Sequence, residues 1–261
     1  MKRYSTLHPL VMSFFSPKIY RDVAYAWRGA CILYLLILVA LTQIPNAVIF
    51  QRGTVEFVRN DAPPLVAQVP RMTFNNGTLT TEENRPYQIK DPKSDELLAI
   101  IDTTGATTAL SSTTAAALFT ATQVSVKRNE YETKTVTYSK KFNFVVTRER
   151  ITRILEWIEK YGAAVLYLCS VVFVLVYRMA QVLIFSLAGL FLAKAVHARL
   201  SFGAVYRITA AAMTPALIIG ALRTTFGTTA FTAPYALILF LALVFGYLMF
   251  AVKSCAGEAA S

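Results

Sequence analysis

Tyr161 to Val196 reads YGAAVLYLCSVVFVLVYRMAQVLIFSLAGLFLAKAV, thirty-six residues whose only charges are Arg178 and Lys194. A membrane-crossing helix needs about 20 mostly apolar residues, and this run far exceeds that. As one helix it would extend about 54 Å, nearly twice a hydrocarbon core of about 30 Å. It is therefore either one long, tilted helix or a helix that breaks near Arg178, and a re-entrant segment around Gly189 is a third arrangement. Lys160 to Gly257 contains seven basic residues and no acidic one, so the second half of the chain offers no carboxylate for catalysis.

Working outward from this run, Gly29 to Phe50, Ile208 to Leu222 and Tyr235 to Val252 are further apolar segments. The whole chain is 55% hydrophobic with a mean hydropathy of +0.48, above the 45 to 50% apolar content of about average soluble domains. The expected fold is a mainly α membrane protein of four transmembrane helices, or five if the long run crosses twice, with an inserted α+β extracytoplasmic domain. The boundaries read as an interfacial segment 1–28, a first span 29–50, the inserted domain 51–150, a helical bundle 151–253 and a tail 254–261.

The net charge of +11 would suit a nucleic-acid binder, but its distribution points elsewhere. Residues 51–159 hold 14 basic and 13 acidic side chains, whereas the rest of the chain holds 12 basic and 2 acidic. The excess therefore flanks the apolar segments, where lysine and arginine mark the cytoplasmic side. Anionic lipid headgroups are the partners such charge implies, and nucleic acid is not. With four crossings Lys194, Arg199, Arg207 and Lys253 share the cytoplasmic side with the N-terminus, and with five they lie outside. Charge favours four, and residues 51–150 are extracytoplasmic either way.

The apolar run after residue 28 lacks a small-residue cleavage site at Thr42 to Pro45, so it reads as a retained anchor. Ahead of it Leu7, Leu10, Val11 and Phe14 carry amphipathic helix spacing beside Lys2 and Arg3. Ser16 and Pro17 suit an N-cap and first helical position. The helix from Pro17 carries Lys18, Arg21 and Arg28, with Tyr20, Tyr25, Trp27 and Tyr34 expected near headgroup level.

Within the polar block, Arg71 to Phe74 and Thr78 to Thr81 flank Asn75, Asn76 and Gly77, a hairpin signal. A turn at Arg85 and Pro86, strands at Tyr87 to Lys90 and Leu97 to Ile101, and a turn at Asp91 to Asp95 follow. Ser111 to Phe119 is expected to form a short helix. Gln123 to Arg128, Thr133 to Tyr138 and Phe142 to Val146 alternate as strands. From Thr147, Ile151, Ile154, Leu155 and Ile158 share one helical face leading into Tyr161, which predicts a continuous helix.

FFSPKIYRDV at Phe14 to Val23, PYQIKDP at Pro86 to Pro92 and IDTTG at Ile101 to Gly105 resemble an uncharacterised family of bacterial polytopic membrane proteins that includes the maltodextrin-utilisation protein MalA. The likeness covers nearly the whole chain. Ser201, Phe202 and Gly203 before Arg207, with Pro215 in the next apolar segment, make the bundle similar to the Yip superfamily, although a final span of those proteins is lacking. The resemblance implies the bacterial cell (inner) membrane, a cytoplasmic loop around Arg207 and no established catalytic role.

Candidate chemistry is sparse. AIIDTTGA at Ala99 to Ala106 is comparable to the aspartic-protease motif, but an extra threonine separates Asp102 from Gly105 and no second copy exists to share a proton; a turn in which Asp102 accepts backbone hydrogen bonds is the expected role. His8 and His197 are the only histidines and lie far apart, against a metal or acid–base pair. Cys31, Cys169 and Cys255 leave the polar block without thiols, so it holds neither disulfides nor a cysteine zinc site. Asn76, Gly77 and Thr78 form a glycosylation sequon, better read as the hairpin turn. No phosphate-binding glycine loop or serine elbow occurs. The expectation is no catalytic residue, no cofactor and no metal, with Arg178, Arg207 and Arg223 as contacts to lipid or another anion. Intramembrane arginines are functional by default unless they snorkel to headgroups.

These features suggest a non-enzymatic accessory or assembly subunit of a bacterial membrane complex, with other membrane subunits as partners. A transport or lipid-handling component is the alternative, in which Gly189, Gly203, Pro215 and Gly220 permit broken helices around a cavity.

Overall fold

The structure, a computed structural model, describes residues 3–27, 29–110, 113–129, 132–141, 143–227 and 233–256. Lys2, Arg28, Phe142, Ser111 and the C-terminal residues from Gly257 onward lie outside them. The chain forms two compact units, a helical one of Met1–Phe50 with Ala163–Ser261 and a strand-containing one of Gln51–Gly162.

In the helical unit, α1 (Pro9–Met12) and α2 (Pro17–Ala26) precede α3 (Ala30–Glu56), whose last residues belong to the other unit. Later come α5 (Arg148–Ala195), α6 (Phe202–Ala212), α7 (Thr214–Thr225) and α8 (Ala233–Ala256). α2 packs on α6 and α8, with Ile19, Tyr20, Val23, Ala24 and Trp27 all buried. The run Thr209 to Ala212 on α6 is buried too; such small side chains let helices approach closely. Tyr20, Trp27 and Tyr34, expected near headgroup level, are all enclosed by protein. An aromatic belt and an aromatic core share one composition, and only the packing partners tell them apart.

Polar links fix this core. Tyr20 donates to Ser13 O at 2.6 Å, and the hydroxyls of Tyr34 and Thr214 share a hydrogen bond. Asp22, the helical unit's sole described carboxylate, accepts from the backbone of Arg3 at 2.9 Å, of Tyr4 at 3.3 Å and from the Trp27 indole at 3.0 Å. Ser16 makes no side-chain cap at α2, although Pro17 does open the helix. On the N-terminal segment, where α1 covers only Pro9–Met12, Leu7 and Val11 of the expected set are exposed together with Phe15, whereas Leu10 and Phe14 are half-buried.

α5 runs unbroken for 48 residues through Arg178, about 72 Å of helix. It ends where His197 takes a left-handed φ of 56°, with Ala198 N–H bonded to Ala193 O at 2.8 Å, a helix stop usually supplied by glycine. Among the described residues four helical stretches are long and apolar enough to cross a membrane: Ala30–Gln68, Arg148–Ala195, Phe202–Thr225 and Tyr235–Ala256. The third is interrupted at Met213 between α6 and α7, with Pro215 in the first turn of α7. α8 continues to Ala256 and buries Cys255, so the expected tail begins later than residue 254.

In the strand unit α3 passes into a π-helical turn, Phe57–Asp61, and α4 (Ala62–Gln68). Pro63 lacks the N–H that would bond Arg59 O, and a π-turn at that place accommodates it. β1 (Met72–Asn75), β2 (Thr78–Thr81) and β8 (Phe144–Val146) form an antiparallel sheet in the order β2-β1-β8. Asn76 and Gly77 have φ of 47° and 79°, the left-handed pair a two-residue hairpin turn requires. The second sheet has the order β3-β4-β5-β6-β7, with β3 (Tyr87–Lys90), β4 (Leu97–Asp102), β5 (Ala117–Thr120), β6 (Gln123–Lys127) and β7 (Thr133–Thr137). Only β4 and β5 pair in parallel. Of the helix expected at Ser111 to Phe119, Ser111 and Ser112 lie outside the described residues, and Ala117 to Phe119 belong instead to β5, whose Leu118 joins Ile100, Leu110 and Ala115 in the core.

Candidate functional site

α3 is apolar for most of its length, but Thr42, Gln43 and Asn46 interrupt it on either side of Pro45. Spacings of three and four residues place Thr42 and Asn46, and Gln43 and Asn46, as helix-surface neighbours. With Arg178 of α5 and Thr224 of α7 they line a pocket of about 220 Å³ in the helical unit, completed by Ala216, Gly220 and Phe240 among others. Asn46 Nδ2 donates to Gln43 Oε1 at 3.0 Å, which turns the Gln43 amide nitrogen into the free donor. The Thr42 hydroxyl is committed to Leu38 O at 2.9 Å and Val39 O at 3.0 Å.

Arg178 is held from its own helix. Its Nη1 donates to Gln181 Oε1 at 2.5 Å, and Gln181 Nε2 donates to Tyr177 Oη at 3.1 Å. The guanidinium carbon lies 5.4 Å from the Tyr177 ring centroid and 5.5 Å from that of Phe240. Among the described residues no acidic side chain pairs with it.

Arg223 lines a smaller, mostly apolar pocket of about 120 Å³ with Ile219, Leu239 and Leu243. Ala216, Gly220 and Phe240 belong to both pockets, so the two arginines border adjoining spaces. Arg207 lies in neither. Its Nε donates to Val23 O and Ala24 O, both at 3.2 Å, and its Nη2 to Ala24 O at 2.5 Å. A cation there satisfies carbonyls left open by the last turn of α2 and complements its dipole. Arg21 serves α8 likewise, with Nε bonded to Ser254 O at 2.6 Å. Part of the basic surplus read from the sequence thus caps helices inside the protein.

A model of the family described as a protein of unknown function, DUF1189, matches residues 7–252. The chain belongs to the DUF1189 family. No curated protein and no solved structure matches it. All three arginines, and Thr42, Gln43 and Asn46, fall within the part of the chain that carries the DUF1189 match. The family match speaks for neither maltodextrin-utilisation proteins nor the Yip superfamily.

In the strand unit Asp102 has no solvent-accessible surface. Its Oδ1 accepts from the Thr104 amide at 2.8 Å and the Thr104 hydroxyl at 2.7 Å, and its Oδ2 from the Thr107 amide at 2.5 Å. Burial pushes this carboxyl up, but the hydrogen bonds from Thr104 and Thr107 outweigh it and hold the group below the usual carboxylate range. Both oxygens serve the turn after β4. Among the described residues no three metal-binding side chains converge.

The sequence singled out Arg178 but not the polar residues around its pocket. The signal was available, since two amides and a hydroxyl within five residues are unusual in a long apolar helix. Arg207 as a cap was hidden, because its partner lies 183 residues away.

Proposed function

We propose that the chain is a non-enzymatic multi-pass subunit of a bacterial cell-membrane complex, with a cytoplasmic N-terminus and residues 51–150 outside. One observation supports it above others: α5 is unbroken from Arg148 to Ala195. At 48 residues it is far longer than one membrane crossing needs. It also leaves Leu168, Val172, Phe173, Val176, Ile184 and Phe191 exposed on its own chain. A partner's membrane helices cover part of that surface and lipid the rest.

Photo-activatable residues at Phe173 and Phe191 test this in intact membranes. The expected result is cross-linking to one defined protein; cross-linking to lipid alone at both positions would refute the subunit reading.

A second reading, a lipid-handling component, is favoured by the Arg178 pocket, where polar side chains and one arginine line a space inside an otherwise apolar helical unit.

A further inference from the structure

We infer that the paired pockets around α7 form a binding site for an anionic phospholipid, with its phosphate against Arg178 and an acyl chain toward Leu239 and Leu243. The inference deepens the lipid-handling reading and is independent of the subunit reading.

The first ground is charge. The helical unit carries eleven basic and two acidic residues. Of the two acids, Asp22 is engaged by Arg3, Tyr4 and Trp27, and Glu258 lies outside the described residues. A half-buried guanidinium with no carboxylate partner in reach calls for an anion from elsewhere, because a cation set in apolar surroundings is costly unless compensated.

The second ground is donor geometry. Of the five N–H donors of Arg178, one goes to Gln181. Arg178 and Gln43, whose amide oxygen is taken by Asn46, line the same space. Planar guanidinium donors suit phosphate oxygens in pairs, and a neighbouring amide adds a further bond. Three polar types line the pocket, arginine, carboxamide and hydroxyl, a set with a positive charge and no negative one, which favours an anion as ligand.

The third ground is shape. The polar pocket does not stand alone, since Ala216, Gly220 and Phe240 also wall the mostly apolar pocket that Arg223 borders with Ile219, Leu239 and Leu243. A polar space continued by an apolar one matches an amphiphile better than a free ion. Gly220 sits where the two meet, and a Cβ built there touches nothing within 4 Å. The absence of a side chain there keeps the junction open.

The experiment uses delipidated full-length protein in mild detergent, titrated by native mass spectrometry with dioleoylphosphatidylglycerol, dioleoylphosphatidylcholine or inorganic phosphate. Phosphatidylglycerol is expected to bind more tightly than phosphatidylcholine. Arg178→Gln should weaken it about tenfold or more, as for loss of a charged hydrogen-bonding partner, and Arg178→Lys less. Gly220→Leu should block it by filling the junction, and Gln43→Leu should weaken it without touching the charge. Monodisperse elution of each variant verifies folding, and Gln43→Leu decides the matter if Gly220→Leu misfolds. Phosphate binding with the same sensitivity to Arg178→Gln, and no phosphatidylglycerol binding, would overturn the lipid as the source and leave an anion site. Equal binding of both lipids, or indifference to Arg178→Gln and Gln43→Leu, would overturn the proposal entirely.

Discussion

The guanidinium of Arg207 in α6 closes the last turn of α2 by donating to Ala24 O at 2.5 Å, across 183 residues of chain. A helix end buried without such a donor leaves carbonyls unpaired, and α2 ends inside the core of the helical unit. Arg207→Ala should therefore destabilise the protein by about 2 kcal/mol, the loss expected for charge-assisted hydrogen bonds. Thermal unfolding in detergent should fall by several degrees, with Arg207→Lys recovering part of the loss. An unchanged midpoint would show that water or lipid replaces the cap.

Gly189 permits the approach of α5 to α6. A Cβ there would lie 2.7 Å from Val205 Cγ1, and Val205 is fully buried and stiff about its first side-chain torsion. Gly189→Ala should cost about 1 to 3 kcal/mol through overpacking. Combining it with Val205→Ala should recover part of that loss, as expected for residues in contact. Gly246 on α8 has open space around its Cβ, so Gly246→Ala should be neutral or stabilising by up to about 1 kcal/mol. Unfolding midpoints of these three variants separate helix propensity from packing.

Asp102 makes the strand unit sensitive to acid. Its carboxyl is held below the usual range in the folded state, so its stabilisation is present above the unfolded value of about 3.9. It is lost as pH falls from there through the folded value. Protection of the Ile100 and Ile101 amides from hydrogen exchange, taken relative to the intrinsic rate at each pH, should fall below about pH 4. Asp102→Asn should raise exchange at neutral pH and flatten the acid dependence. If Asp102 were instead a catalytic acid, that substitution would abolish an activity without changing exchange.

The legible and illegible parts of the fold divide along one physical line. The β1–β2 hairpin could be read because Asn76 and Gly77 demand their own conformation regardless of surroundings. The Asp102 turn is equally local. β5 could not, since an alanine-rich stretch has helical propensity and its pairing with β4 and β6 makes it a strand. The enclosure of Tyr20 and Trp27, and the capping by Arg21 and Arg207, depend on partners hundreds of residues away. Arg178 stood out as a charge in an apolar run, whereas the convergence of Gln43 and Asn46 on it is a matter of packing.

Four crossings place Thr135 and Arg199 on opposite sides of the membrane. Both are exposed, whereas Cys31 and Cys255 are buried and Cys169 is exposed. In a Cys169→Ser background, a membrane-impermeant maleimide applied to whole cells with a permeable outer barrier should label Thr135→Cys and spare Arg199→Cys. Labelling of both would favour five crossings.

The most direct test is purification of the protein at native abundance from its own membrane in mild detergent, followed by mass spectrometry of everything that accompanies it. A multi-pass accessory subunit is predicted to bring down a membrane protein partner in fixed stoichiometry. Recovery of this chain alone, across several detergents and growth states, would contradict the proposed function.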